Sequence, residues 1–259
     1  MKHSSFANRH PFWFVIALEV AVVLAYLLSG TVAHFMTLSN LTMMLTANLG
    51  LSIFAAILLS MLGWWVAVGF AAPKKRNDLW YYVIPFLPTV PFFPAIVRQI
   101  AKLEFAIQPL VLEVLMLTLL VAFAEEVIFR GLMLNALKAR GAWTAVIVSS
   151  MLFGLSHSLN LLSGQHLAET ATQVVFALTT GFMFASLVLR KGLLGPLVVA
   201  HFLIDFFPMS LVGNLSYPVP PSWNSILLVG ISAVFLLYGL FVMLERHYEK
   251  RGLILAQMH

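Results

Sequence analysis

Apolar residues fall into eight runs along the chain, separated by short polar or basic stretches. The runs cover approximately residues 12–30, 46–72, 79–97, 109–138, 142–161, 170–190, 192–212 and 224–245. Each is near the roughly 20 residues that an α-helix needs to cross the hydrocarbon core of a bilayer. The pattern therefore predicts an all-α polytopic bundle of about eight transmembrane spans, organised as one integral membrane domain over 1–259. The third run is the least regular. Pro85, Pro88, Pro91 and Pro94 recur every three residues, and an interior proline deletes a helical hydrogen bond and bends the helix. A broken or re-entrant segment with protein covering its backbone is one reading. A failure to cross would put the later basic clusters on the wrong side, so the charge count favours a crossing.

Composition agrees with the pattern. The chain is 61% hydrophobic and 10% charged, with a mean hydropathy of +0.96. A soluble domain carries about a quarter charged residues. The net charge of +5 does not point to nucleic acid, because the basic residues form no patch. Lys2, Arg9, Lys74, Lys75, Arg76, Lys138, Arg140, Arg190, Lys191, Arg246, Lys250 and Arg251 all fall on one side of the eight-span arrangement. Arg98 and Lys102 fall on the other, and Arg130 lies within a run. The excess of Lys and Arg in cytoplasmic connections places both termini in the cytoplasm. The first run follows Lys2 and Arg9 without a convincing small-x-small cleavage site, so it reads as a retained span. With no cysteine, the chain has no disulfide, thiolate nucleophile, thiolate metal site or thiol-linked lipid.

Against this background the polar residues inside apolar runs stand out, since ionisable groups at membrane depth are costly and face a partner or a wet cavity. Glu125, Glu126 and Arg130 interrupt the fourth run. On an α-helix Glu126 and Arg130 are i,i+4 neighbours in the favourable order. Glu125 is turned by about 100° and needs a different partner. His157 lies in the fifth run, with Phe153 on the same helical face, and His201 and Asp205 are an i,i+4 pair in the seventh. Counted from the assigned cytoplasmic ends at ~1.5 Å per residue, Glu125, His157, His201 and Asp205 lie roughly 13–23 Å deep. Three helices thus bring acids and imidazoles to one level.

Glu-Glu-x-x-x-Arg, Phe-x-x-x-His and His-x-x-x-Asx, in that order, resemble the motifs of the CPBP family of intramembrane endopeptidases. This family contains the CAAX prenyl-protein endopeptidases and bacterial members linked to bacteriocin processing and self-immunity. The family-like core covers about 109–212. The resemblance implies hydrolysis of a peptide bond by an activated water. Glu125 would be the base, His157 would hold or activate the water, and His201 with Asp205 would stabilise the oxyanion. Glu126, Arg130 and Phe153 would be structural support. Asp205 replaces the asparagine of the CAAX enzymes; because an ionised aspartate donates no hydrogen bond, it would be protonated or would orient His201. No cofactor is implied. Glu125, His157 and His201 are residue types that bind zinc, but there is no His-Glu-x-x-His, and the resemblance points to glutamate-based chemistry. The implied partners are a peptide or protein substrate, lipidated or not, and the bilayer. The membrane would be the inner membrane of a prokaryote, or the endoplasmic reticulum of a eukaryote.

Two other classes share these features: a non-catalytic immunity or peptide-binding protein, and a proton-coupled transporter. The latter would show paired discontinuous helices; the chain has one proline-rich segment without a counterpart. The remaining polar residues have simpler readings. Glu19, Glu104 and Glu113 are expected near span ends, and His34, His166 and Glu169 in extracytoplasmic connections. Trp64, Trp65, Trp80, Tyr81, Tyr82 and Trp223 are expected in interfacial belts. Asn135 reads as a helix-end hydrogen bonder, and Ser150, Ser156 and Ser158 as packing residues.

Overall fold

The computed structural model describes residues 5–71, 76–95, 97, 109–212 and 225–256. Lys2, Lys74, Lys75, Arg98, Lys102, Glu104 and Trp223 lie outside the described residues. Among the described residues the regular structure is helical throughout. Five helices among the described residues are long and apolar enough to cross a membrane: Pro11–Phe35, Asn40–Leu62, Ala142–Leu162, Leu167–Lys191 and Leu227–Glu245. The other three predicted runs take different forms.

After a single turn, Phe6–Arg9, helix α1 spans Pro11–Phe35 with proline in its first turn, where a missing N–H costs nothing. Glu19 lies well inside α1, not near its end as expected, and is half-buried. Helix α2, Asn40–Leu62, starts where the Ser39 hydroxyl accepts the Thr42 N–H at 3.1 Å, the side-chain cap that serines supply. It was expected to continue to residue 72. It stops at Leu62 because Gly63 turns left-handed, with φ of 65°, the usual glycine termination.

The proline-rich run is not an α-helix. It forms two 3₁₀ segments, Arg76–Tyr82 and Ile84–Phe92. Three residues per turn place prolines spaced by three along one line of the segment, and Pro85 and Pro88 of that line are buried. The apolar helical stretch here, Ile84–Ala95, is one of the shorter ones. Its neighbours bind it firmly. The Tyr82 hydroxyl donates to the Leu193 carbonyl at 3.1 Å, Tyr81 to Glu245 at 2.9 Å, and Tyr238 to the Tyr81 carbonyl at 2.9 Å. Tyr82 is therefore a buried strut and not an interfacial belt residue, whereas Trp80 is 77% exposed.

The fourth run is one continuous helical body of changing pitch. Helix α3, Pro109–Glu125, passes into a π-helical stretch, Glu126–Met133, then a short α-turn, Leu134–Leu137. The whole π stretch is buried, and its apolar side chains form the middle of the main core with α1, α2 and α4. Helix α4, Ala142–Ser156, continues as a 3₁₀ turn, His157–Ser163. Helices α5, Leu167–Lys191, α6, Gly195–Val212, and α7, Ser225–Ala256, complete the bundle. The Lys138 ammonium donates to the Asn135 side chain, as expected of a helix-end residue.

One end of the bundle is closed where residues near Gly69 and Asp78, the turn after α5 and Glu245 of α7 meet. There the Leu194 N–H donates to the Gly69 carbonyl at 3.1 Å, Lys191 meets Asp78 at 2.7 Å, and Arg190 meets Glu245 at 3.5 Å. Gly69 has φ of 105°, and a Cβ there would lie 2.6 Å from the Leu194 nitrogen and 2.7 Å from the Gly192 oxygen. Gly69→Ala therefore meets both a disfavoured backbone conformation and rigid neighbours. It is expected to cost at least about 2 kcal/mol, seen as a lowered unfolding midpoint of the detergent-solubilised protein.

Candidate active site

The α3–π junction positions the two carboxylates. Adjacent residues on an ideal α-helix diverge, which predicted separate partners for Glu125 and Glu126. Glu126 meets Arg130 and Glu125 faces His201 across the bundle, as expected, but Glu126 also faces that same imidazole. The His201 Nδ1–H donates to Glu126 Oε1 at 2.8 Å, and its Nε2 lies 3.7 Å from Glu125 Oε2. The change to π geometry at Glu126 is the local reason, since short π stretches re-aim side chains and are frequent at functional sites. Ser149 on α4 donates to the Phe129 carbonyl at 2.8 Å, tying α4 to this stretch.

Asp205 joins the same imidazole from α6, one turn beyond His201, with Oδ2 3.4 Å from Nε2. Both ring nitrogens thus face carboxylate oxygens, and both can donate only in the imidazolium form. Burial divides the charged side chains into two groups. The side chains of Glu126 and Arg130 have no exposure, whereas Glu125 and Asp205 retain 17% and 16%. The second group opens onto a cavity; the first is sealed beneath it.

The sealed group is held by Arg130. Its Nη1 lies 3.0 Å from Glu126 Oε1, and its guanidinium carbon lies 3.7 Å from the Phe153 ring centroid and 5.6 Å from that of Phe184. Aromatic faces on a buried guanidinium give cation–π attraction where water is excluded. Phe153 also meets His157 edge-on at 4.8 Å and His201 at 6.0 Å between centroids. One phenylalanine therefore packs against all three nitrogenous groups of the site.

His157 stands where α4 becomes a 3₁₀ turn. Its Nδ1–H donates to the Phe153 carbonyl at 2.8 Å, which leaves Nε2 as an acceptor in the neutral ring. Glu125, His157, His201 and Asp205 all line one cavity of about 1220 Å³. Small-molecule sites run to roughly 1,000 Å³, so the space accommodates a stretch of peptide. Among the described residues no group of three His, Asp or Glu side chains is arranged to hold a metal ion.

The structure adds wall residues that the motifs did not include. Tyr26 on α1 lines the cavity, its hydroxyl donating to the fully buried Asn48 of α2 at 3.1 Å. Asn160 and Gln173 also line it and bond to each other at 2.8 Å. Asn48, a lone amide in an apolar run, was the one available signal for the first two helices.

The fold and the cavity define an integral membrane protein of helices that gather carboxylates and imidazoles in its interior. Residues 107–207 match the model of the family described as Type II CAAX prenyl endopeptidase Rce1-like, so the resemblance carried by the three motifs is shown for the segment that holds them. The match supports a membrane-embedded protease, a hydrolase acting on a peptide or protein substrate. No curated protein and no solved structure matches the chain.

Proposed function

We propose that the protein is an intramembrane endopeptidase of glutamate type, with Glu125 as general base. The observation that carries this reading is the cavity wall shared by Glu125, His157, His201 and Asp205. A water between the Glu125 carboxylate and the free Nε2 of His157 loses a proton to Glu125 as its oxygen attacks the scissile carbonyl. Such proton transfer by a positioned group contributes about 10²–10⁴ in rate. The His201 Nε2–H donates to the oxygen on which negative charge develops, a donor aimed at the transition state. Glu125 then returns its proton to the departing amine.

Glu126 and Arg130 carry no step. Glu126, held by Arg130, fixes His201 from Nδ1, so that its Nε2 faces the cavity beside Glu125 and Asp205. Asp205, facing Nε2, acts in this reading as a charged partner that keeps His201 protonated and oriented. Asp205→Asn keeps the shape and removes the charge. It is expected to leave cleavage within about tenfold of wild type, ~1.4 kcal/mol, while Asp205→Ala loses more. Equal activity of both variants and wild type would remove Asp205 from the site.

The test of the whole reading is cleavage of membrane-anchored peptides by purified protein, compared with the Glu125→Gln variant. Undiminished cleavage by that variant sinks it. Peptide binding by wild type without any cleavage favours the immunity or peptide-binding class.

A further inference from the structure

The cavity has a direction. From the site its wall runs to the α1–α2 connection, through His34, Thr37 and Asn40, and to the α4–α5 connection, through Gly164 and Gln165. Among the described residues no lining residue comes from the other end, where residues 64–71, 76–82 and 190–194 meet. That end is shut by the Gly69–Leu194 backbone bond and the Tyr82–Leu193 bond. Below the site the floor is Ile128 and Phe129, each 1% exposed.

Charge marks the two ends differently. Arg9, Lys138, Arg140, Arg190 and Lys191 lie at the shut end, and α7 runs from there through Arg246, Lys250 and Arg251. Among the described residues no Lys or Arg lies at the open end, which carries His34, His166 and Glu169. Short connections rich in Lys and Arg stay in the cytoplasm. The polar groups toward the mouth include the uncharged amides and hydroxyl of Asn160, Gln173 and Thr31, the kinds of group that hydrogen-bond peptide N–H and C=O groups.

We infer that the cavity opens on the face away from the cytoplasm, so that its substrate is an exported polypeptide, or the extracytoplasmic flank of a membrane-anchored one, and not a cytoplasmic prenylated terminus. The substrate half of this inference rests on the peptidase reading; the sidedness does not.

The chain has no cysteine, so single cysteines report without background. Leu162→Cys lies on the cavity wall at 72% exposure, Ser156→Cys lies deeper on the same wall, and Arg140→Cys lies exposed at the shut end. In intact bacterial cells producing the full chain, a membrane-impermeant maleimide is expected to label Leu162→Cys at least about tenfold more than Arg140→Cys, as hydrophobic barriers exclude the reagent from the cytoplasm. Permeabilisation should bring Arg140→Cys to the same level, and a small impermeant methanethiosulfonate should reach Ser156→Cys from outside. Gln165→Cys serves if Leu162→Cys fails to insert. Labelling of Arg140→Cys but not of the wall from outside overturns the inference, as does equal labelling of both ends in intact cells or a Ser156→Cys shielded from outside.

In vesicles of known orientation, a peptide library offered on the Leu162 side should be cleaved and one enclosed on the Arg140 side should not. Cleavage on the Arg140 side alone overturns the substrate class. Absence of cleavage on both sides counts against the peptidase reading and leaves the labelling result standing.

Discussion

Glu125→Gln protein is expected to fold as wild type does and to lose cleavage by roughly 10²–10⁴-fold, the usual contribution of a positioned general base. Folding is spared because glutamine fills the same volume. The carboxylate has little to lose: Glu125 Oε2 makes no hydrogen bond among the described residues, and its nearest ionic contact is 3.7 Å away. Removing it also relieves the proximity of a second carboxylate, Asp205, at the same His201 nitrogen. The loss should appear in kcat with KM little changed, since the base acts only as the transition state forms. Matched unfolding midpoints for the two proteins separate a chemical defect from a structural one. Cleavage within about twofold of wild type would assign the base to another residue.

Arg130→Met should produce the opposite signature, a protein that fails by unfolding. Breaking a buried ion pair from one side costs about 3–5 kcal/mol because the remaining charge is stranded. Here Glu126 keeps its hydrogen bond from His201, which places the expected cost near the lower figure. Methionine also forfeits the stack on Phe153. Glu126→Gln combined with Arg130→Met removes both charges, so the double variant should be more stable than the sum of the single changes predicts. The measurement is the unfolding midpoint in detergent for the four members of the cycle. Arg130→Met as stable as wild type would mean that this pair does not hold the site. Arg130→Lys keeps the charge and loses the planar stack, and should fall between.

Much of this site was legible before any coordinates because lipid makes polar residues conspicuous. Glu125, Glu126, Arg130, His157, His201 and Asp205 interrupt runs that are otherwise apolar, and their order matched one family's motifs. The three-residue proline period announced a departure from α-helix, which the 3₁₀ segments realise with the same period. Other features left no such trace. The π pitch of Glu126–Met133 reads in sequence like an ordinary α-helical turn, because its hydrogen-bond register depends on what packs around it, including Ser149 against the Phe129 carbonyl. Glu19 read as an end residue and lies within α1.

By itself the sequence determined the solvent, the set of costly polar groups and the ends that carry the basic charge, since each follows from the free energy of placing a residue type in lipid or water. The tertiary structure alone decided that Glu125 and Glu126 share His201, that Tyr26 and Asn48 from the first two helices stand near the site, and which end of the cavity is open. Those outcomes depend on where side chains point after helices distant in sequence have packed, and a one-residue change of helical register redirects them without altering composition or spacing.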